Sequence, residues 1–189
     1  MRRGALTFVS AGVFLGGLLL WGPPISMAQE GAKKSAASTP APAEISWLSY
    51  DVGMARAKKE GKHVLIDFYT TWCGYCKKMD RSTFRDKAVV GFISKNMVAV
   101  KVNAESNKPI MHEGKRLTER ALSRRVYGVR GYPTYWFVSP KGEKLFYIPG
   151  YRSGPDFLNF AEYAGGGHYK KGDYKSFLES KKSRKRSSK

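Results

Sequence analysis

Two apolar runs in the middle of the chain predict buried strands. Residues 64–69 and 97–102 are apolar on both faces, as the central strands of a parallel sheet are, apart from Asp67 and Lys101. Between these runs the apolar residues change to helical spacing, which indicates about two helical segments. A strand, a helical crossover and a second strand make a right-handed unit, so the two strands should run parallel.

The segments on either side predict the remainder of an α/β domain. Trp47–Glu60 is expected to form an amphipathic helix with Leu48, Val52 and Ala55 on its apolar face, and Gly61 should end it. Between the two runs, Asp86 should cap a helix whose apolar stripe is Val89, Phe92 and Ile93. After the second run, the pattern predicts a loop at 103–115, a helix with Leu117, Ala121, Leu122 and Val126, a strand at 135–138, a turn at 139–142 and an antiparallel strand at 144–148. A closing helix with Phe157 and Phe160 and a short docked segment with Tyr174 and Phe177 are expected at the end of the domain.

Length and composition allow one hydrophobic core with extensions. Of 189 residues, 42% are hydrophobic and 13% aromatic. Residues 1–28 combine Arg2 and Arg3 with an apolar stretch and Ser-Met-Ala, which is typical of a secretory signal peptide; an uncleaved membrane anchor is the alternative. Residues 29–44 should form a flexible linker. The folded domain is expected at 45–165, followed by a partly disordered basic extension at 166–189.

Both cysteines lie just after the first apolar strand, in Trp72-Cys73-Gly74-Tyr75-Cys76. If a helix begins at Cys73, its sulfur lies at the amino end, where free N–H groups and the helix dipole favour a thiolate. Cys76 follows on the same helix face, so the pair can form a reversible disulfide in which Cys73, the more exposed thiol, attacks and Cys76 resolves. Export would permit structural disulfides, but so short a loop cannot staple a domain, which favours catalysis.

Asp67 lies six positions before Cys73 inside the apolar strand, where a carboxylate is costly. Burial without a partner raises the pKa of a carboxyl group, so Asp67 indicates a proton-handling role. The alternative is a structural acid that is hydrogen-bonded or paired, with Lys101 as the candidate partner.

A structural zinc site is the alternative use of the cysteine pair. Four-ligand zinc needs two more Cys or His at suitable spacing, and the histidines, His63, His112 and His168, are isolated. Gly165–Gly167 could form a cofactor loop, but no strand or phosphate-binding pattern precedes it, and a helix end is the better interpretation. The sequence predicts neither a metal nor a cofactor.

Two motifs in this order resemble the thioredoxin superfamily over residues 45–164. They are Asp67-Phe68-x-x-x-Trp72-Cys73-Gly74-x-Cys76-Lys77 and Gly128-Val129-Arg130-Gly131-x-Pro133-Thr134. The resemblance implies a thioredoxin fold, a mixed sheet flanked by helices, with a cis peptide before Pro133 beside the cysteine pair. It implies that Asp67 is buried near Lys101, which supports proton transfer, and that Cys73 is the nucleophile. By the same match, the residues that face the substrate are Trp72, Gly74, Tyr75 and Tyr132.

Three departures distinguish the chain from plain thioredoxin. Tyr75 stands where thioredoxin has proline, and Cys-Gly-Tyr-Cys resembles the pair of periplasmic disulfide isomerases of the Dsb type. Tyr132 replaces the isoleucine that usually precedes the cis-proline, and residues 103–116 form a longer segment than in plain thioredoxin. The layout is closer to exported thioredoxin-like proteins.

The chain is strongly basic, with a formal net charge of +19, and its residues from Lys170 onward carry nine basic side chains against two acidic ones. This tail could contact an anionic membrane surface or an acidic partner, and export argues against nucleic acid. The predicted function is a periplasmic or otherwise exported thiol-disulfide oxidoreductase, a reductase or isomerase of protein thiols and disulfides, supplied with electrons by a membrane thiol-disulfide relay. The alternative is a basic interaction module that keeps the fold without turnover.

Overall fold

A computed structural model describes residues 44–187, which form a five-stranded sheet with helices on both faces. The predicted signal peptide at 1–28 and nearly all of the predicted linker lie outside the described residues. The strands are β1 (Trp47–Leu48), β2 (His63–Tyr69), β3 (Met97–Asn103), β6 (Thr134–Val138) and β7 (Lys144–Pro149), with β4 (Pro109–His112) and β5 (Lys115–Thr118) forming a separate hairpin. The helices are α1 (Tyr50–Glu60), α2 (Gly74–Arg81), α3 (Lys87–Asn96), α4 (Glu119–Ala121), α5 (Gly154–Gly165) and α6 (Tyr174–Ser187).

The sheet is mixed and has the order β1-β3-β2-β6-β7. Strand β2 is its centre, with β3 parallel on one side, as the two apolar runs predict, and β6 antiparallel on the other. Five of its seven residues are buried. Because β2 has neighbours on both edges and helices on both faces, Asp67 has no direct exit to solvent.

Each face of the sheet covers its own apolar cluster. Helices α3 and α5 pack on one face with Leu65, Phe137 and Phe157, whereas α1 and the segment after α4 pack on the other. Asp86 caps α3 as predicted, since its Oδ1 accepts hydrogen bonds from the backbone N–H groups of Ala88 and Val89. The predicted antiparallel return of β7 beside β6 is also confirmed.

Helix α1 differs from its prediction in both start and orientation. It begins at Tyr50, because Trp47 and Leu48 pair with β3 instead. Val52 is 55% exposed, Ala55 is also exposed, and the helix buries Tyr50, Gly53 and Ala57. The physical reason is close packing on β3: a Cβ at Gly53 would lie 2.1 Å from Cγ2 of Val100. Apart from Tyr50 at its start, the buried face therefore consists of small residues that a search for large apolar side chains does not detect.

The predicted loop at 103–115 contains strand β4 and the turn of the β4–β5 hairpin, and this part of the prediction is wrong. Ile110 is the buried residue of β4, so the alternation is too short to show in the sequence. The turn uses positive φ angles at Glu113 and Gly114. The hairpin is fixed to α1, since the Tyr50 hydroxyl lies 2.8 Å from Nδ1 of His112.

The helix predicted after this loop is shorter than expected at its start. Leu117 belongs to β5, and the helical run is α4 followed by a π-helical turn at Leu122–Val126. Leu122 is fully buried against the sheet, as its helical spacing predicts.

The basic C-terminal extension folds through Ser187, where the sequence predicts a short docked segment and a partly disordered tail. A 3₁₀ turn at His168–Lys170 leads into α6. The ring of Tyr174 stacks on Phe160 of α5 at 4.4 Å, and Lys181 forms an ion pair with Glu162. These contacts join α6 to α5 and stabilise a helix whose own composition is unfavourable for burial. No helix within residues 44–187 is long and apolar enough to cross a membrane.

Candidate functional site

The two cysteines lie where β2 passes into α2, at the carboxyl end of the central strand. Cys73 is the N-cap of α2 and is bonded to Cys76 in a disulfide. The backbone N–H of Cys76 also donates to Sγ of Cys73 at 3.1 Å. Unpaired N–H groups and the helix dipole at this position stabilise negative charge on the Cys73 sulfur once the bond is reduced. The geometry therefore favours Cys73 as the thiolate of the pair.

The predicted difference in exposure between the cysteines is not seen in the disulfide form, because Cys73 and Cys76 are each 4% exposed. The bond joins both sulfurs at the same depth. The asymmetry lies in the hydrogen bond to Cys73 Sγ and in its place at the helix end.

Asp67 lies on the same face of the sheet as Leu65, between Lys101 of β3 and Tyr135 of β6, which are its direct neighbours in register. It is 2% exposed, and its Oδ1 has no hydrogen-bond partner among the described residues. Burial raises the pKa of Asp67 to about 7; the charge of Lys101 opposes this shift and the charge of Asp80 adds to it. A carboxyl group with this pKa can gain and lose a proton near neutral pH.

The predicted partner of Asp67, Lys101, is shared with a second acid. Lys101 Nζ is 3.7 Å from Oδ2 of Asp67 but 2.6 Å from Oδ1 of Asp80 on α2. Lys101 is therefore bound more closely by the more exposed Asp80 than by the buried Asp67, which leaves the charge of Asp67 only partly neutralised. Sequence reasoning missed Asp80, although its position four residues after Cys76 places it on the same helix face as the cysteines.

Pro133 lies at the same end of the sheet as the disulfide. The peptide bond between Tyr132 and Pro133 is cis, as the resemblance implies. Strand β6 begins opposite Phe68, so Pro133 comes beside the end of β2. The Pro133 carbonyl accepts a hydrogen bond from the N–H of Gly150 at 2.8 Å, which fixes the start of β6 to the end of β7.

The predicted substrate-facing residues surround the cysteine pair. Trp72 and Tyr75 are 65% and 63% exposed, and the Trp72 and Tyr132 rings meet edge-on at 6.0 Å. Trp72 Nε1 donates to Oε2 of Glu105 at 2.8 Å, which holds the indole in place. A Cβ at Gly74 would meet no atom within 4 Å, so this side of the disulfide is open to a partner. Their role in substrate binding stays a prediction.

The histidines lie apart from the cysteines. His63 Nε2 lies 3.1 Å from the Tyr169 hydroxyl, and His112 contacts Tyr50. Within residues 44–187, no group of three or more His, Cys, Asp or Glu side chains could hold a metal ion. The site consists of a disulfide-bonded cysteine pair, a buried acid and the aromatic side chains around them.

Residues 50–165 match the family model of the thioredoxin-like domain. Among curated relatives, a protein disulfide-isomerase of Datisca glomerata is 33% identical over 105 residues, which are 55% of this chain and 18% of that protein. The matched part thus spans less than a fifth of this relative's length.

Two solved structures agree with this assignment. A candidate disulphide-isomerase of Bacteroides thetaiotaomicron is 31% identical with a TM-score of 0.51, over 66% of this chain and 96% of that one. A thioredoxin-fold protein of Helicobacter pylori, 21% identical with a TM-score of 0.56, covers 66% of this chain and 86% of its own and supports the fold. The predicted resemblance to the thioredoxin superfamily and its thiol-disulfide oxidoreductases is confirmed, and the chain belongs to the thioredoxin-like domain family.

Proposed function

We propose that this protein is an exported thiol-disulfide oxidoreductase that exchanges disulfides with protein substrates, as a reductase or an isomerase. The observation that carries the proposal is the Cys73–Cys76 disulfide at the amino end of α2, which lies at the same end of the sheet as Pro133 and follows the strand that holds the buried Asp67. An interaction module without turnover has no use for a redox-active pair that is built into this position.

The exchange begins from the reduced pair. The Cys73 thiolate attacks one sulfur of a substrate disulfide, a mixed disulfide forms, and the other substrate sulfur leaves as a thiolate. Cys76 then loses its proton and attacks Cys73 Sγ, which expels the second substrate thiolate. The substrate gains two electrons and two protons, and the protein ends in the disulfide form. In isomerisation, a substrate thiol displaces Cys73 before Cys76 attacks, so no net electrons are transferred.

Asp67 supplies the proton balance of the second step. Cys76 is buried, so its proton cannot pass easily to bulk water. With a pKa of about 7, the Asp67 carboxyl can accept that proton and return it to a leaving thiolate. The charge of Lys101 beside Asp67 limits how far the pKa of Asp67 rises.

Both reactions start from the reduced pair, so electrons from outside the protein must first reduce it; reduction of a substrate consumes two electrons in each cycle, whereas isomerisation consumes none. We assign their source to a membrane thiol-disulfide relay, which transfers two electrons and two protons to the Cys73–Cys76 disulfide. The proposal predicts a mostly reduced pair in cells that contain the relay. A fully oxidised pair in those cells, measured by thiol trapping, would instead indicate an oxidase.

Export to the periplasm or a similar compartment is part of the proposal. It is supported by Arg2, Arg3 and the apolar stretch that follows, which fit a signal peptide. The basic side chains of α6, which include Lys182 and Arg186, face solvent and are suited to an anionic membrane surface. Such a contact would keep the disulfide close to a membrane-bound electron donor.

Disulfide exchange on a model protein tests the function. The wild-type protein should reduce a protein disulfide in the presence of a chemical thiol donor, and Cys73→Ala should reduce activity to background. Cys76→Ser should accumulate mixed disulfides through Cys73, because the resolving thiol is missing. Equal rates for the wild type and Cys73→Ala would favour the basic interaction module. Trapping by Cys73→Ser instead would reverse the roles of the two cysteines.

A further inference from the structure

Four aromatic rings surround the disulfide in two pairs, and we call Trp72, Tyr75, Tyr132 and Tyr151 the aromatic rim. Trp72 meets Tyr132 at 6.0 Å, and Tyr75 meets Tyr151 at 6.5 Å. Tyr151 follows the residue whose N–H donates to the Pro133 carbonyl, which places it beside the start of β6. The sequence resemblance does not point to Tyr151, so the ring at this corner is seen only in the fold.

The rim exposes more aromatic surface than packing requires. Trp72 and Tyr75 each leave more than half of their side chains in solvent. Exposed aromatic residues in a cluster mark contact sites for other proteins, because they provide large, rigid contact surfaces at a low cost in side-chain entropy. The open space at Gly74, between the two cysteines, lets a partner chain approach the pair there.

Cationic side chains lie next to the aromatic rim. Lys78 Nζ lies 4.4 Å from the centre of the Tyr151 ring, and Arg152 Nη1 donates to the Tyr151 carbonyl. Arg130, two positions before Tyr132, is exposed. Among the residues that the structure describes, Glu105 is an acid that contacts the rim, since its carboxylate accepts the indole N–H of Trp72. A partner at the rim therefore meets a positive field.

We propose that the aromatic rim and its cations select protein segments with acidic and aromatic side chains beside the disulfide that exchanges with Cys73. This inference rests on the proposed function and names the substrate class for the same site. Acidic side chains gain from Lys78, Arg130 and Arg152 during the encounter, and apolar rings gain from contact with Trp72 and Tyr75.

If charge close to the rim causes the selection, reversing charges far from the rim should not affect it. Two lysines at the other end of the sheet allow this control. Lys95 lies just before β3, and Lys141 lies just after β6. The start of β3 and the end of β6 both pair with the first residues of β2. Both lysines are exposed at the end of the sheet where β2 begins, opposite the end that carries the disulfide. Reversing these two charges changes the net charge as much as reversing Lys78 and Arg130 does.

The experiment uses the full chain with its cysteine pair reduced. Two peptides carry the same intramolecular disulfide and the same aromatic residue and differ only in whether Glu or Lys flanks the cysteines. At low salt, the Glu peptide should be reduced about 10-fold faster than the Lys peptide, which is the lower end of electrostatic steering. The ratio should fall towards unity at about 1 M salt, where the Debye length is about 3 Å.

The double variant Lys78→Glu with Arg130→Glu should remove the preference, and the matched double variant Lys95→Glu with Lys141→Glu should keep it. Equal rates for the two peptides with the wild type would overturn the proposed substrate class while leaving the enzyme function intact. An equal loss of preference in both double variants would also overturn it, since net charge alone would then explain the preference. If the wild type reduced neither peptide and no protein disulfide, the proposed function itself would be refuted.

Discussion

Replacing Asp67 by Asn should change the pH dependence of folding stability. The pKa of Asp67 is about 7 in the folded protein, against 3.8 for an unperturbed carboxyl group. Between these values the folded protein holds a proton that the unfolded chain has released. The free energy of unfolding therefore falls as pH rises towards 7 and is flat above it. At about 1.36 kcal/mol per pKa unit, the buried carboxyl costs about 4 kcal/mol of stability above neutral pH.

The Asn side chain removes this titration and keeps the shape. Lys101 stays paired with Asp80 in the variant, and an unsatisfied buried amide costs about 1–3 kcal/mol at every pH. From about pH 5 to about pH 8, the wild type should lose about 3 kcal/mol through this group, and Asp67→Asn should not. At about pH 8 the variant should be the more stable protein by about 1–3 kcal/mol.

Urea unfolding of the disulfide form, followed by circular dichroism, measures this difference without interference from cysteine titration. Glu179→Gln is a suitable control, because Glu179 is exposed on α6 and its removal should leave the pH dependence unchanged. If Asp67→Asn and the wild type lose the same free energy between the two pH values, the carboxyl group does not titrate in this range. Its role would then be structural.

Three further changes test the site and the packing around it. Asp67→Asn should slow the attack of Cys76 on the mixed disulfide and flatten its pH profile in rapid-mixing kinetics, and an unchanged profile would remove Asp67 from the proton path. Asp80→Asn removes a charge that raises the pKa of Asp67, so an NMR titration should find that pKa lower. Gly53→Ala inserts a Cβ 2.1 Å from Val100 Cγ2 and should destabilise the fold by about 1–3 kcal/mol in urea unfolding; no loss would show that α1 can shift.

The central strands and the site could be predicted because their signals are local. An apolar run of six residues, a cysteine pair after it and a proline before another strand fix β2, α2 and the start of β6. The rule that two runs joined by helices are parallel places the strand of Lys101 beside Asp67, whereas no local pattern predicts the antiparallel pairing of β6 that brings Tyr135 to its other side.

The parts that sequence reasoning missed depend on partners far along the chain. The buried face of α1 is decided by how closely Gly53 approaches Val100, and no periodicity of large apolar residues records this. Asp80 gains its role from a lysine 21 residues away. Helix α6 is stabilised by the packing of Tyr174 on Phe160, whereas its composition alone suggests a solvated tail.

The register of the three central strands limits where the chain can change length. Asp67 faces Lys101 on one side and Tyr135 on the other, so a single residue inserted into β2, β3 or β6 would turn one of them to the opposite face. The turn of the β4–β5 hairpin at Glu113 and Gly114 is exposed and lies outside this sheet. Peptide tags or reporter segments inserted at that turn should therefore leave the redox chemistry untouched, while the same insertion in a central strand should abolish it.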